Sequence, residues 1–364
     1  DFAITAPRII TGDNYAEARQ STLFKESVKI NIFNISKINS EVRGGKEPRI
    51  KRLSEYLGES YFNYLSELPD LVLLMDESHH YRADSGLRAI NELKPILGLE
   101  LTATPIDTKG VKFKNVVFDY PLARALQDGF VKEPAVATRR DFNPDQYRND
   151  PKELDLIKLE DGVRIHEDTK VALDIYARDS GNRLVRPFVL VVARDTDHAK
   201  EIRGLIESDR FFEGRYTGKV MEIHSNQRGE EKEENVQRLI DLEKPENPIE
   251  IVVHVNMLKE GWDVTNLYTI IPLRAANSQI LTEQTIGRGL RLPYGARTGV
   301  EKVDKLTIIA HDRFQSIVDA ANDPNSIIRQ ENIIEIDPDA LPEAQEVITA
   351  SSVMEEALAL KRTE

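Results

Sequence analysis

Short apolar runs recur along the chain, each breaking into a polar or glycine-bearing turn and most followed by a stretch of helical spacing. Leu71-Val72-Leu73-Leu74-Met75 runs directly into Asp76-Glu77-Ser78-His79, and about one helix later Leu97-Gly98-Leu99 leads into Leu101-Thr102-Ala103-Thr104-Pro105. An all-apolar run ending at a turn predicts a strand buried on both faces of a parallel sheet. Upstream, Val28 to Ile35 alternates as a strand does, and residues 50–68 read as a helix with Tyr56, Tyr61, Phe62 and Tyr64. Downstream, Val116 to Tyr120 reads as a strand and Pro121 to Gly129 as a short helix closed by glycine.

The second half repeats the strand–helix rhythm. Phe188 to Ala193 is a buried strand, followed by a helix through Ile202 and Ile206. Further strands fall at Lys219–His224, Ile249–Val255, Tyr268–Leu273 and Leu306–Ala310. Helices are expected from Arg228 to Glu243, where charge is dense, and from about Ser278 to Leu290. Strands alternating with helices predict an α/β fold with mainly parallel sheets. Residues 134–165 are polar and carry Pro134, Pro144 and Pro151, so the predicted division is 1–133, a linker at 134–165, 166–336, and an acidic helical connector at 337–364. A length of 364 residues agrees with two domains.

Composition narrows the classes. With 40% hydrophobic and 30% charged residues the chain reads as an ordinary globular protein. No run approaches the roughly 20 apolar residues of a membrane helix. Cysteine is absent, which removes disulfides and thiolate metal sites; a cytoplasmic setting is the simplest reading. The net charge of −13 argues against binding nucleic acid by overall charge, while leaving room for a local basic cleft. Asp1 is not a start methionine and Phe2-Ala3-Ile4-Thr5 already reads as a strand, so the chain looks cut from something longer.

Four stretches can carry chemistry. Asp76 and Glu77 stand at a strand end, where ligands bind in such sheets. Adjacent acids there can divide the holding of Mg²⁺ from the activation of water, because successive side chains point differently. Thr102 and Thr104 bring small hydroxyls to the end of a neighbouring strand, within hydrogen-bonding reach of an acidic loop. Gln284, Arg288 and Arg291, spaced four and three apart, share one face of a helix, and two guanidinium forks suit a polyphosphate. Gly287 and Gly289 weaken that helix and so call for a use. Finally, Asn256 to Asp263 follows a strand and includes Gly261 and the single tryptophan, Trp262. Gly44-Gly45-Lys46-Glu47 lacks the glycine spacing and the Ser or Thr of a phosphate loop, and no other segment supplies one.

In order and spacing, DESH, TATP, NMLKEGWDV and QTIGRGLRLP resemble superfamily 2 helicases and translocases of the DExH kind. Among these the chain looks most like the Res subunit of type III restriction enzymes, over about Phe2 to Asp337. The resemblance implies two RecA-like domains facing an ATP cleft, the first truncated at its N-terminus, with ATP and Mg²⁺ as cofactors. Asp76 matches the Mg²⁺-holding acid, Glu77 the residue that activates water, and His79 the last position of the box. Thr102 and Thr104 match the motif that links hydrolysis to DNA movement, and Gly261 and Asp263 the motif near ribose and phosphate. Gln284, Gly287, Arg288 and Arg291 match the sixth motif, with both arginines reaching the γ-phosphate. DNA would lie across both domains, held by its backbone, with Ala6-Pro7-Arg8 among the contacts, and a methyltransferase or specificity subunit is an implied partner.

Two departures stand out. The phosphate loop that should precede Asp1 is absent, and no nuclease motif follows, since Pro338-Asp339 lacks its E-x-K. Little ATP turnover by this chain alone is therefore expected. The alternatives are a non-catalytic DNA-binding or assembly module that keeps the motor fold, and a related RNA helicase.

Overall fold

The computed structural model describes residues 7–11, 28–32, 61–78, 84–102, 105, 111–140, 142–224, 237–255, 264–273, 286–311 and 333–337. The chain divides into two compact units, Asp1–Asp119 and Tyr120–Glu364. Among the described residues no helix is long and apolar enough to cross a membrane.

The first unit holds β1 (Arg8–Ile10), β2 (Lys29–Asn31), α1 (Tyr61–Ser66), β3 (Val72–Met75), α2 (Asp84–Glu92) and β4 (Leu97–Glu100). β1 pairs in parallel with β2, and β3 with β4. A small core gathers Ile10 of β1, Phe62 and Leu65 of α1, and Leu93, with Leu71 and Leu73 packed against it. Burial on β3 therefore alternates, in contrast to the two-faced burial its apolar run suggests. Leu73 meets the core while Val72 is 46% and Leu74 71% exposed. The described residues place a packing layer on only one face of this sheet, and a period of two sends every second side chain away from it.

The second unit holds α3 (Leu122–Gln127), β5 (Glu133–Arg139), α4 (Pro151–Ser180), β6 (Phe188–Val192), α5 (Thr196–Ile206), β7 (Val220–His224), β8 (Ile251–Val255), β9 (Leu267–Pro272), β10 (Lys305–Ile309) and β11 (Ile333–Ile336). Its strands form one seven-stranded sheet in the order β11-β5-β10-β9-β6-β8-β7. Every pairing is parallel, so the expected α/β class with a mainly parallel sheet holds.

Here the apolar runs do mean two-faced burial. Val189 and Val191 of β6 join a core with Leu159 and Val163 of α4 and Ile202 and Ile206 of α5. Phe188, Leu190 and Val192 point the other way, into a core with Leu239, Leu242, Ile286 and Leu290. Gly162 lets α4 lie close on the sheet, since a Cβ there would stand 2.3 Å from Ile271 Cδ1.

Three sequence expectations change. Residues 134–165, read as a linker, contain most of β5 and the first half of α4, and the division between units falls at Asp119 and Tyr120. The prolines mark element starts: Pro144 and Pro151 open a 3₁₀ turn and α4 behind the caps Asn143 and Asp150, where a missing N–H costs nothing. Residues 116–120 form no strand, and Val117 is 84% and Phe118 75% exposed. β11, unanticipated, pairs with β5 at one edge of the sheet. The helices expected over residues 228–243 and 278–290 fall mostly outside the described residues, which retain helical ends at 237–240 and 286–289.

Candidate functional site

β3 ends at Met75, and the chain turns at once through Asp76 and Glu77. Glu77 has a φ of 48°, a left-handed backbone that side chains other than glycine rarely adopt. Its N–H donates to Oδ1 of Asp76 at 3.0 Å. Two backbone hydrogen bonds extend the β3–β4 pairing past the turn: Leu101 N–H to Met75 O at 2.8 Å, and Ser78 N–H to Leu101 O at 3.0 Å. The acidic turn is thereby tied to the residue just before Thr102. Ser78 is 1% exposed, so the turn is rooted in the fold while Asp76 is exposed.

In the second unit, residues 286–289 are helical and lead through Leu290 to Arg291. Ile286 and Leu290 are buried, which presents Arg288 and Arg291, both half-buried, from one short turn. The two glycines have different uses. A Cβ on Gly289 would stand 2.7 Å from Leu306 Cδ1, so that position requires glycine for packing, whereas a Cβ on Gly287 would meet nothing within 4 Å.

Leu290 O accepts from Lys132 N–H at 2.7 Å. Lys132 is fully buried; burial pushes its amine well below the ordinary lysine range, with Glu243 and Asp304 opposing the shift. Arg297 fastens the preceding segment, donating to Val131 O at 2.9 Å, to Leu126 O at 3.0 Å and to Glu133 Oε1 at 2.6 Å.

Because the sheet is parallel, all its strands end on one edge, and α4 is tied to that edge by polar side chains. Asp155 Oδ2 pairs with His198 Nε2 at 3.0 Å and Arg194 Nη1 at 3.1 Å, just past β6. Lys158 Nζ donates to Pro272 O at 3.2 Å, the end of β9. Asp161 receives Arg139 Nε at 2.6 Å from the end of β5, and His311 Nε2 lies 2.9 Å away, just past β10. Burial pushes Asp161 up, but the hydrogen bonds from His311 and Arg139 outweigh it and hold the carboxyl below its usual range. The order in which strands are added also reverses in this sheet, where β8 and β9 flank β6, the kind of switch point at which α/β sheets bind ligands.

A different cluster lies near the opposite edge. His166, Glu167 and Glu250 can each offer a ligand atom within 4.8 Å of the others. Lysines already engage these carboxylates: Lys219 Nζ meets Glu250 at 2.6 Å, and Lys170 Nζ meets Glu250 at 2.8 Å and Glu167 at 3.1 Å. Tyr216 donates to Glu167 at 2.5 Å. With its acids neutralised by ammonium groups, this is an ion-pair network and a poor cation site.

Of the residues singled out from the sequence, Asp76, Glu77 and Thr102 fall at the ends of β3 and β4 in the first unit, and Gly287, Arg288 and Arg291 on one turn of the second. His79, Thr104, Gly261, Asp263 and Gln284 lie outside the described residues. Lys132 was not foreseen. In Phe130-Val131-Lys132-Glu133 it reads as a surface lysine, and nothing local marks it as buried.

The fold defines a class: a mainly parallel α/β protein, and sheets of this kind bind ligands at the carboxyl ends of their strands. Residues 2–107 match the family model described as type III restriction enzyme, res subunit. No curated protein matches the chain in sequence. Among solved structures the chain is similar to the ATP-dependent type ISP restriction-modification enzyme LlaBIII bound to DNA, at 14% identity and a TM-score of 0.49, over 93% of this chain and 26% of that one. It is similar to the helicase MrfA bound to DNA at 15% identity and a TM-score of 0.45, over 85% of this chain and 37% of that one. It is also similar to S. cerevisiae Dbp5 bound to RNA and ADP BeF3 at 9% identity and a TM-score of 0.43, over 98% and 73%.

Proposed function

We propose that this chain is motor machinery of an ATP-dependent DNA translocase or helicase, from the restriction subunit of a type III-like system. The observation that carries the reading is the acidic turn after β3. Glu77 is held at a φ of 48° directly after Asp76, inside the segment that matches the Res family model. A non-glycine residue held in such a conformation needs surroundings that enforce it, and such residues gather at functional sites.

Carboxylate oxygens are the donors that Mg²⁺ prefers, so the pair fits the metal that nucleotide hydrolysis uses. Asp76 would hold Mg²⁺, which when bound neutralises charge on the nucleotide's β- and γ-phosphates. Glu77 orients and deprotonates the attacking water. Arg288 and Arg291 neutralise charge that develops on the transferred phosphoryl group, a role worth on the order of 10³–10⁵ in rate. Thr102 and Thr104 link the acidic turn to movement along the track. His79, Gly261, Asp263 and Gln284 complete the nucleotide contacts that the motifs imply. DNA is the track, held by backbone phosphates, and a methyltransferase or specificity subunit is a further partner.

The test is nucleic-acid-stimulated ATP hydrolysis by the full-length protein. Glu77→Gln is expected to lower kcat by about 10²–10⁴ with ATP binding retained, the range for loss of a general base. Unchanged turnover would refute the assignment. Duplex DNA should stimulate more strongly than RNA, and the reverse order would point to an RNA motor.

A further inference from the structure

Lys132 stands immediately before β5 and is 0% exposed. Its main chain and its side chain are anchored in different places. The backbone N–H donates to Leu290 O at 2.7 Å, the carbonyl between Arg288 and Arg291. Nζ donates to Thr265 O and Leu267 O, each at 2.8 Å, where the chain enters β9. Nζ also lies 3.7 Å from the centroid of the Tyr268 ring. Burying an amine is unfavourable unless its donors are used, and a methionine would fill the same volume without that penalty. Here the donors close two backbone carbonyls, and the residue so pinned holds the arginine turn by its peptide.

The remaining contacts limit how that turn can move. Gly289 packs against Leu306, Ile286 and Leu290 are in the core, and Arg297 binds Leu126, Val131 and Glu133 around Lys132. The backbone hydrogen bond from Lys132 ties the turn to the start of β5, and the Lys132 side chain ties that contact to β9.

We infer that Lys132 is a positioning residue that fixes the Arg288–Arg291 turn against the start of β9. It touches neither nucleotide nor metal; it acts through the arginines. The inference rests on the motor reading, in which those arginines serve hydrolysis.

Two measurements test it. The first is amide hydrogen exchange on this chain, comparing the native residue with Lys132→Met and with Tyr216→Phe, which removes a buried hydrogen bond at the opposite edge. Lys132→Met should speed exchange at position 132 and over 286–292 by about tenfold or more, as expected when a local anchor is lost, while Tyr216→Phe leaves those amides alone. No change at 132 and 286–292 overturns the inference. The second is ATP hydrolysis by the full-length protein at a temperature where every variant is folded. Lys132→Met should lower kcat by about ten- to a hundredfold, the scale of a small misplacement of catalytic groups, with KM for ATP within about twofold. Tyr216→Phe should leave both unchanged. If Arg288→Ala abolishes turnover but Lys132→Met does not lower it, the positioning role is wrong and the motor reading stands. If Arg288→Ala also leaves turnover intact, the arginine assignment fails and takes this role with it.

Discussion

At the residue scale, the left-handed backbone of Glu77 can be separated from its chemistry. A side chain at φ near 48° is disfavoured by roughly 1–2 kcal/mol relative to right-handed backbone. Glycine removes that penalty but adds entropy to the unfolded chain, roughly 0.5–1 kcal/mol. Glu77→Gly should therefore leave unfolding free energy unchanged or raise it by up to about 1 kcal/mol, while lowering kcat at least as far as is expected of Glu77→Gln. A drop in stability of more than about 1 kcal/mol in a denaturant titration would show that the glutamate side chain holds the turn together. Asp76 and Glu77 could be found in the sequence because a short apolar run ending in acids is a local signal. Lys132 could not, because its burial comes from residues about 130 to 160 positions away.

At the element scale, glycine positions report how closely neighbouring elements approach. Gly162 of α4 faces Ile271 of β9, and Gly289 faces Leu306 of β10. Adding a methyl group at either site overpacks a filled core. Gly162→Ala and Gly289→Ala are each expected to destabilise by about 1–3 kcal/mol, seen as a lower melting temperature. Gly287→Ala meets open space and should instead be neutral or stabilise the helical turn by up to about 1 kcal/mol. If all three behave alike, the packing argument is wrong. The prolines at 144 and 151 show a limit of composition as a guide. They suggested a linker, yet Asp150-Pro151-Lys152-Glu153 already carried a helix start, with Asp150 accepting from Glu153 N–H at 3.2 Å.

At the scale of the whole second unit, the two polar clusters on opposite edges of the sheet make stability depend on pH. Asp161 is held below its usual range as described above. Glu250 is pushed up by burial and then brought well below its usual range by hydrogen bonds from His166, Lys170 and Lys219. Glu167 is also lowered: burial raises it, and Tyr216 and Lys170 outweigh that. A carboxyl with a depressed folded-state pKa contributes stability that is present above its unfolded value near 4 and is lost as pH falls toward the folded value. The unfolded chain binds more protons in that window, so stability rises with pH there. Unfolding free energy should thus fall by on the order of 1–3 kcal/mol between about pH 5 and pH 3, measured by urea titration. Glu250→Gln should flatten the slope, and an unaltered slope would show that the network does not carry it.

The sequence by itself determined the α/β class, the strand positions from Phe188 to Ala310, and the acids and arginines worth testing. Those follow from short-range period and from residue chemistry, which need no partner to be read. Tertiary structure decided the rest. It showed which apolar strands are covered on both faces, because coverage depends on what packs there: β6 lies between two cores, whereas β3 meets one. It drew Glu133–Arg139 and Pro151–Ser180 into the second unit, since pairing with β10 and β11 and contact with the sheet outweigh a polar local composition. It also turned an ordinary-looking lysine into the tie between β9 and the arginine turn, a role that exists only once distant carbonyls converge on one amine.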